Sequence, residues 1–252
     1  MALLSTIRDL HRRKGRERRG LALAEGIRLV EEMLAAGVAC KGAAVAPALE
    51  TTVRGMQLNR ALVARGIPIE TISDADLAAI AATEHPQGIV AVYQVRVWSL
   101  DEIVAAPGHP IVILDGVQDP GNVGTIGRTA LAFGAAGLVA LPGTADLTNP
   151  KTVRGAMGAL FQLPHRHADD PAILALLSRH GVALWAATTD GVALETAAPA
   201  GAIALVFGNE GAGIRPELLA RAAQRVTIPI RFAAESLNVA VAAGIVLYQV
   251  TR

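Results

Sequence analysis

The strongest constraint on this chain is a rhythm that runs through it twice. Short apolar runs bounded by glycine or proline alternate with stretches whose apolar residues recur at helical spacing. In the first pass "LALA" (21–24) reads as a strand, and Ile27, Val30 and Leu34 then fall at i, i+3 and i+7 on a helix that stops at Gly37. "GAAVA" (42–46) reads as a strand, 51–65 as a helix ending at Gly66, and "IPIETI" (67–72) as another strand. Ser73, with Asp76 three positions on, predicts a helix N-cap, and "GIVAVYQV" (88–95) closes the block. The periodicity lapses over 97–109, where "APGH" marks a linker. A second series predicts strands at 110–114, 137–141, 182–188, 203–207 and 225–230. Helical patterns between successive strands imply crossovers and a mostly parallel sheet. The expected fold class is α/β, in two domains, 1–96 and 110–252.

Composition agrees with that layering. Hydrophobic residues make up 52% of the 252, yet only 3% are aromatic. The cores must therefore be built from Ala, Val, Leu and Ile, which suits helices packed closely on sheets. A single cysteine, Cys40, cannot close an intramolecular disulfide, and no cysteine cluster offers a zinc site, so no metal is expected. With no signal-peptide pattern and no run of about 18 uncharged apolar residues, the protein is expected in the cytoplasm and not in a membrane.

Net charge is only +1, but it is unevenly spread. Residues 8–19, "RDLHRRKGRERR", hold seven Lys or Arg against two acids. Such a run is either a solvated helix face or an arm that contacts phosphates through Arg12, Arg13, Arg16 and Arg18.

Three stretches carry the candidate chemistry. "DGVQDPGNVGTIGR" (115–128) follows an apolar run and places Gly121, Gly124 and Gly127 at every third position. That spacing is not the G-x-G-x-x-G of dinucleotide sites, the acidic residue expected about 20 positions on is missing, and there is no G-K-[ST]. A nicotinamide or ATP site is thus disfavoured. "FGNEGAGI" (207–214) follows a strand and precedes a helix starting near Pro216, the kind of turn at which α/β sheets bind ligands. Glycine caps explain its glycines but not the ionisable Glu210 in their midst. "IPIRFAAESLN" (228–238) brings Ser236 and Asn238 to the head of the last helix, where each is a plausible N-cap. From 236 to 250 that helix has no charged side chain. Burial on all sides is expected, with a subunit interface covering part of it and Val246 and Leu247 on the buried surface.

Taken together, "DPGNVGTIGRTALAFG", "LVFGNEGAGI" and "IPIRFAAESLNVAVAAGIVLY", in that order, resemble the three signature motifs of the SpoU/TrmH family of RNA ribose 2′-O-methyltransferases, within the SPOUT superfamily. "NPKTVRGAMGALFQLP" between the first two is also similar, and 1–96 resembles the ribosomal-protein-like, α/β/α substrate-binding domain that many members carry. The resemblance implies a trefoil knot in the second domain, S-adenosyl-L-methionine bound within it, and a homodimer formed through the C-terminal domain. It implies that backbone groups of Gly208, Ile228 and Leu237 hold the cofactor. It implies that Arg128 acts on the ribose hydroxyl, either as a base with depressed pKa or as a guanidinium that grips phosphate and stabilises a developing alkoxide. Asn122, Glu210, Ser236 and Asn238 match the remaining polar positions, where they would hold the loop, orient Arg128 or place the ribose. One departure stands out: where relatives often carry a small hydroxyl residue, this chain has Gly155 and Ala156, leaving Arg154 as the candidate phosphate ligand there.

The function these features imply is methyl transfer from S-adenosylmethionine to a ribose 2′-hydroxyl, in ribosomal RNA by expectation. The rivals are a knotted RNA-binding protein without the chemistry, a tRNA or antibiotic-resistance enzyme of the same family, and a related enzyme that methylates a base.

Overall fold

The computed structural model describes residues 2–231 and 236–252, and the chain divides into two compact units. The first comprises Met1–Arg96 together with Thr148–Phe161, and the second Val97–Leu147 with Gln162–Arg252. The segment Thr148–Phe161 is thus part of the first unit, although it falls within the stretch read from sequence as the second domain.

In the first unit the order is α1 (Ala2–Leu10), α2 (Arg13–Arg19), β1 (Leu21–Glu25), α3 (Ile27–Ala35), β2 (Cys40–Val45), α4 (Val53–Ala64), β3 (Ile69–Thr71), α5 (Asp74–Ile80) and β4 (Ile89–Gln94). The strands form one sheet in the order β1-β4-β2-β3, antiparallel except for the β2–β3 pair. Period-two alternation sorts its side chains between two layers. Ala43, Val45, Ile89 and Ala91 pack with Val30 and Met33 of α3, whereas Ala44, Val90 and Val92 pack with Ile7 and Leu10 of α1 and Leu77 of α5. The Ser73 cap forms as its spacing predicts, its hydroxyl accepting from the Asp76 amide at 3.0 Å.

The second unit holds β5 (Ile111–Asp115), α6 (Pro120–Ala132) and β6 (Gly137–Ala140). After α7 (Pro150–Gly155), which lies in the first unit's segment, come β7 (His165–His167), α8 (Asp170–Arg179), β8 (Ala183–Ala193), β9 (Ile203–Gly208), α9 (Pro216–Leu219), β10 (Gln224–Thr227) and α10 (Val239–Val250). Six strands run in the order β10-β8-β9-β5-β6-β7, and every pair is parallel. Val112, Leu114, Leu205 and Phe207 face α6 and α10 on one side, while Ile113, Ala204 and Val206 face Ile173 and Leu176 of α8 on the other. Burying each large aliphatic side chain contributes about 1.5–3 kcal/mol, so both faces of the sheet are committed to core.

Two features depart from the sequence reading. Strand β7 reads His-Arg-His and has no apolar signal, so periodicity does not reveal it. Strand β8 is longer than expected because it makes an excursion: Arg225 pairs with Ala186, but the next residue, Val226, pairs with Val192. Residues 187–191 leave the ladder between those two pairings.

Helix α10 is only partly covered. Val246 and Leu247 are buried in the chain's own core, whereas Val241, Ile245 and Tyr248 are 52%, 39% and 43% exposed. These three fall at i, i+4 and i+7, one stripe of the helix. The charge-free sequence therefore does not mean burial on all sides within one chain, and the uncovered face is not the one that holds Val246 and Leu247.

Candidate active site at the carboxyl ends of the strands

The glycines of 121–127 are not a loop. Asp119 caps α6, accepting from the Asn122 amide at 3.0 Å, and Pro120 occupies the first helical position, where its missing N–H costs nothing. All three glycines lie inside the helix, with Gly124 and Gly127 buried. The turn proper is 116–119. Gly116 takes φ 72°, a left-handed conformation that glycine adopts without strain.

The second glycine stretch is a true loop, leaving β9 at Gly208. A Cβ there would stand 2.3 Å from the Gly213 carbonyl carbon and 2.4 Å from the Ile214 nitrogen, so only glycine lets the loop fold back this tightly. Asn209 organises the return. Its Oδ1 accepts from the amides of Gly211 and Ala212 at 2.9 Å each, and its Nδ2 donates to the Gly116 carbonyl at 2.8 Å. Sequence reasoning passed over Asn209, although an asparagine bonding to amides two and three residues on is a known turn device.

Glu210 then points at the start of α6. Its carboxylate accepts from the Gln118 amide at 3.1 Å, the Asp119 amide at 3.2 Å and Asn122 Nδ2 at 3.0 Å. Burial alone would push this carboxyl up, but the bonds donated by Asn122 and by backbone amides outweigh it and hold the group below the ordinary glutamate range. Asn122 in turn accepts from Asn238 Nδ2 at 3.1 Å, and Asn238 Oδ1 caps α10 by accepting from the Ala240 and Val241 amides at 2.9 and 3.3 Å. Three of the expected polar residues thus form one chain of hydrogen bonds, Asn238 to Asn122 to Glu210.

Beside this chain lies a cavity of about 870 Å³, within the range of small-molecule sites. Gly208, Ile228 and Leu237, the three expected cofactor positions, all line it, as do Glu210, Ser236 and Asn238. Ile228 lies just past β10, where Pro229 follows and cannot donate to a ladder. The excursion of β8 also lines it, with Thr188, Thr189 and Asp190. The turn residues of "TTDG" were its only sequence signal. Among the described residues no cluster of three or more His, Cys, Asp or Glu is placed to hold a metal ion.

Arg128 does not line the cavity. It lies six positions beyond Asn122 on α6, exposed, and has no side-chain partner among the described residues. Arg154 lies in the first unit's segment, its Nη1 buried and without a hydrogen-bond partner among the described residues. Residues 232–235 of the third motif lie outside the described residues.

Residues 109–248 match the SpoU rRNA Methylase family, and residues 4–91 match an MRM3-like substrate binding domain. The chain is 35% identical, over 96% of its length and 92% of the relative's, to the 23S rRNA (guanosine(2553)-2'-O)-methyltransferase RlmP of Bacillus subtilis. An AdoMet-bound rRNA methyltransferase from Sinorhizobium meliloti superposes with a TM-score of 0.87 at 33% identity, covering 98% of this chain and 93% of that one. The SpoU methyltransferase AviRb of Streptomyces viridochromogenes, solved with AdoMet, gives a TM-score of 0.87 at 27% identity, covering 100% and 97%.

Proposed function

The chain belongs to the SpoU rRNA methylase family, and from that premise we propose that it transfers a methyl group from S-adenosylmethionine to a ribose 2′-hydroxyl of ribosomal RNA, acting in the cytoplasm. The observation that carries the reading is the placement of Gly208, Ile228 and Leu237 around one cavity whose edge bears the Asn238–Asn122–Glu210 chain. Against a binding protein without the chemistry stands the likeness to relatives that are methyltransferases by name.

The cavity fits the cofactor in chemistry as well as size. Phe207, Val226 and Val246 give it apolar walls, while Asp190, Glu210 and Arg231 place charge of both signs at its edge, suited to a ligand that is both cationic and zwitterionic. Gly208, Ile228 and Leu237 would hold it by backbone groups. S-adenosylmethionine, when bound, would supply the methyl group as an electrophile, its methyl–sulfur bond breaking to leave the neutral thioether S-adenosylhomocysteine while the hydroxyl proton passes to water.

The protein's own work is alignment and charge stabilisation. Glu210 and Asn122 fix the start of α6, and α6 carries Arg128 as a rigid arm. With no protein partner among the described residues, the Arg128 guanidinium is available to grip the phosphate next to the target ribose and to stabilise the oxygen as its proton leaves. Ser236 and Asn238 would place the ribose or the loop. The second unit carries the knot in this reading, and the exposed stripe of Val241, Ile245 and Tyr248 meets its copy in a homodimer.

The test is methyl transfer from labelled S-adenosylmethionine to ribosomal RNA, followed by digestion to nucleosides and mass spectrometry. A ribose-methylated nucleoside is expected. Label on a base, or no label with any ribosomal substrate, overturns the proposal. Sedimentation of wild type and Ile245→Asp tests the dimer, which a monomeric wild type at micromolar concentration would refute.

A further inference from the structure

Asp115, at the end of β5, is a buried carboxylate that the proposed chemistry does not use. It is 2% exposed, and both of its oxygens are met by one residue. Oδ2 accepts from the Arg215 backbone amide at 2.8 Å and Oδ1 from Arg215 Nε at 2.7 Å. Arg215 Nη2 reaches on to Asp170 Oδ1 at 2.8 Å, at the first residue of α8. A carboxylate taken out of water needs such partners, because burial without them is costly.

The position of this clamp gives it meaning. Arg215 immediately follows the 208–214 loop, every residue of which lines the cavity. At the other end of the loop Asn209 Nδ2 is tied to the carbonyl of Gly116, the residue after Asp115. The loop is therefore fastened at one end to Gly116 and at the other to Asp115, adjacent residues at the β5 exit, and Glu210 projects from between the fastenings. An ion pair whose arginine is partly open to water adds little stability. Two bonds from one arginine to one carboxylate, however, fix orientation as well as distance.

We propose that Asp115 and Arg215 are positioning residues for the cofactor: their clamp sets the height of the 208–214 loop in the cavity, and so the affinity for S-adenosylmethionine, without touching the reacting atoms. The proposal rests on the functional reading above. It predicts a larger loss of binding than of chemistry, because the clamp meets the cavity-lining loop directly and reaches Arg128 only through Glu210, Asn122 and α6.

The experiment compares wild type with Arg215→Gln, Arg215→Lys, Asp115→Asn and the double variant D115N/R215Q. Calorimetry gives the S-adenosylmethionine Kd, and steady-state kinetics give kcat at saturating cofactor. Arg215→Gln should raise Kd about tenfold while kcat and the KM for RNA stay within about twofold, as expected for a residue that supports the binding shell. Arg215→Lys, which keeps the charge but loses the fork, should recover part of the affinity. The double variant should be little worse than the poorer single one, since each single change already breaks the Nε–carboxylate link, while the Arg215 backbone amide remains as a donor in every variant. Unchanged Kd in folded variants, with only a lower Tm, would make the pair a structural tie and overturn the proposal. If Arg215→Gln does not fold, Asp115→Asn and Arg215→Lys carry the test: a rise in Kd supports the clamp and an unchanged Kd overturns it. A wild type that fails to bind S-adenosylmethionine overturns the functional reading itself, and this proposal with it.

Discussion

Helix α2 carries five basic side chains in seven residues, Arg-Lys-Gly-Arg-Glu-Arg-Arg, whereas α6 carries one, Arg128, in thirteen. In α2 most of that charge is already engaged. Arg16 is 4% exposed and donates to the carbonyls of Leu10 and His11 at 2.9 and 3.0 Å and to the Thr148 hydroxyl at 3.1 Å. Arg18 and Arg19 both pair with Asp9 at 2.7 Å, and Arg13 pairs with Glu17 at 2.7 Å. The guanidinium of Arg19 is the main cause that holds the Asp9 carboxyl below its usual range. Arg12 and Lys14 remain exposed, with no side-chain partner among the described residues. In α6 the lone arginine is likewise unengaged. Charge density along the sequence thus says little about charge on offer, because a guanidinium with five donors serves the fold as readily as it serves a ligand.

Three variants put that contrast to the test. Arg128→Ala should lower methyl transfer by about 10²- to 10⁴-fold, the range for losing a group that acts on the reacting atoms. Its S-adenosylmethionine affinity, read by calorimetry, should stay near wild type. A comparable loss of cofactor affinity would move Arg128 into the binding shell and break the comparison at its stronger end.

Arg16→Ala should act on stability instead. It strands the Leu10 and His11 carbonyls, at a cost of about 1–3 kcal/mol, visible as a lower Tm with RNA affinity unchanged for folded protein. Weaker RNA binding at unaltered Tm would show that this buried arginine contacts phosphate after all, and that the four arginines grouped in the sequence reading are equivalent.

The smallest effect is expected from Arg12→Gln combined with Lys14→Gln. If both contact phosphates, the slope of log K for RNA against log salt should fall by about 0.7–0.9 per contact. The KM for RNA should rise while kcat holds, because these contacts lie away from the chemistry. An identical slope in wild type and variant would make α2 a solvated face, and RNA recognition would then belong elsewhere.

Much of the site was legible because its signals are local. Gly208 is required by a carbonyl carbon 2.3 Å from where its Cβ would stand, and a glycine between an apolar strand and an asparagine is a local signal for such a turn. Asn238 as an N-cap follows from residue type and position alone. Asp115 gives no such signal because an acid at a strand end is ordinary; only the arginine one hundred residues later, at 2.7 Å, gives it a role.

The sequence by itself determined most of the elements and their α/β class, because periods of 2 and 3.6 and the spacing of glycines and caps are properties of neighbours along the chain, and its three motifs carried the family. The tertiary structure decided the rest. It set the strand order β10-β8-β9-β5-β6-β7, placed Thr148–Phe161 with the first unit, and chose which arginines are spent. It also joined Asn122 to Glu210 across 88 positions and to Asn238 across 116. Hydrogen bonds and burial act over a few ångströms of space, and no pattern of near neighbours reports which distant residues will share that space.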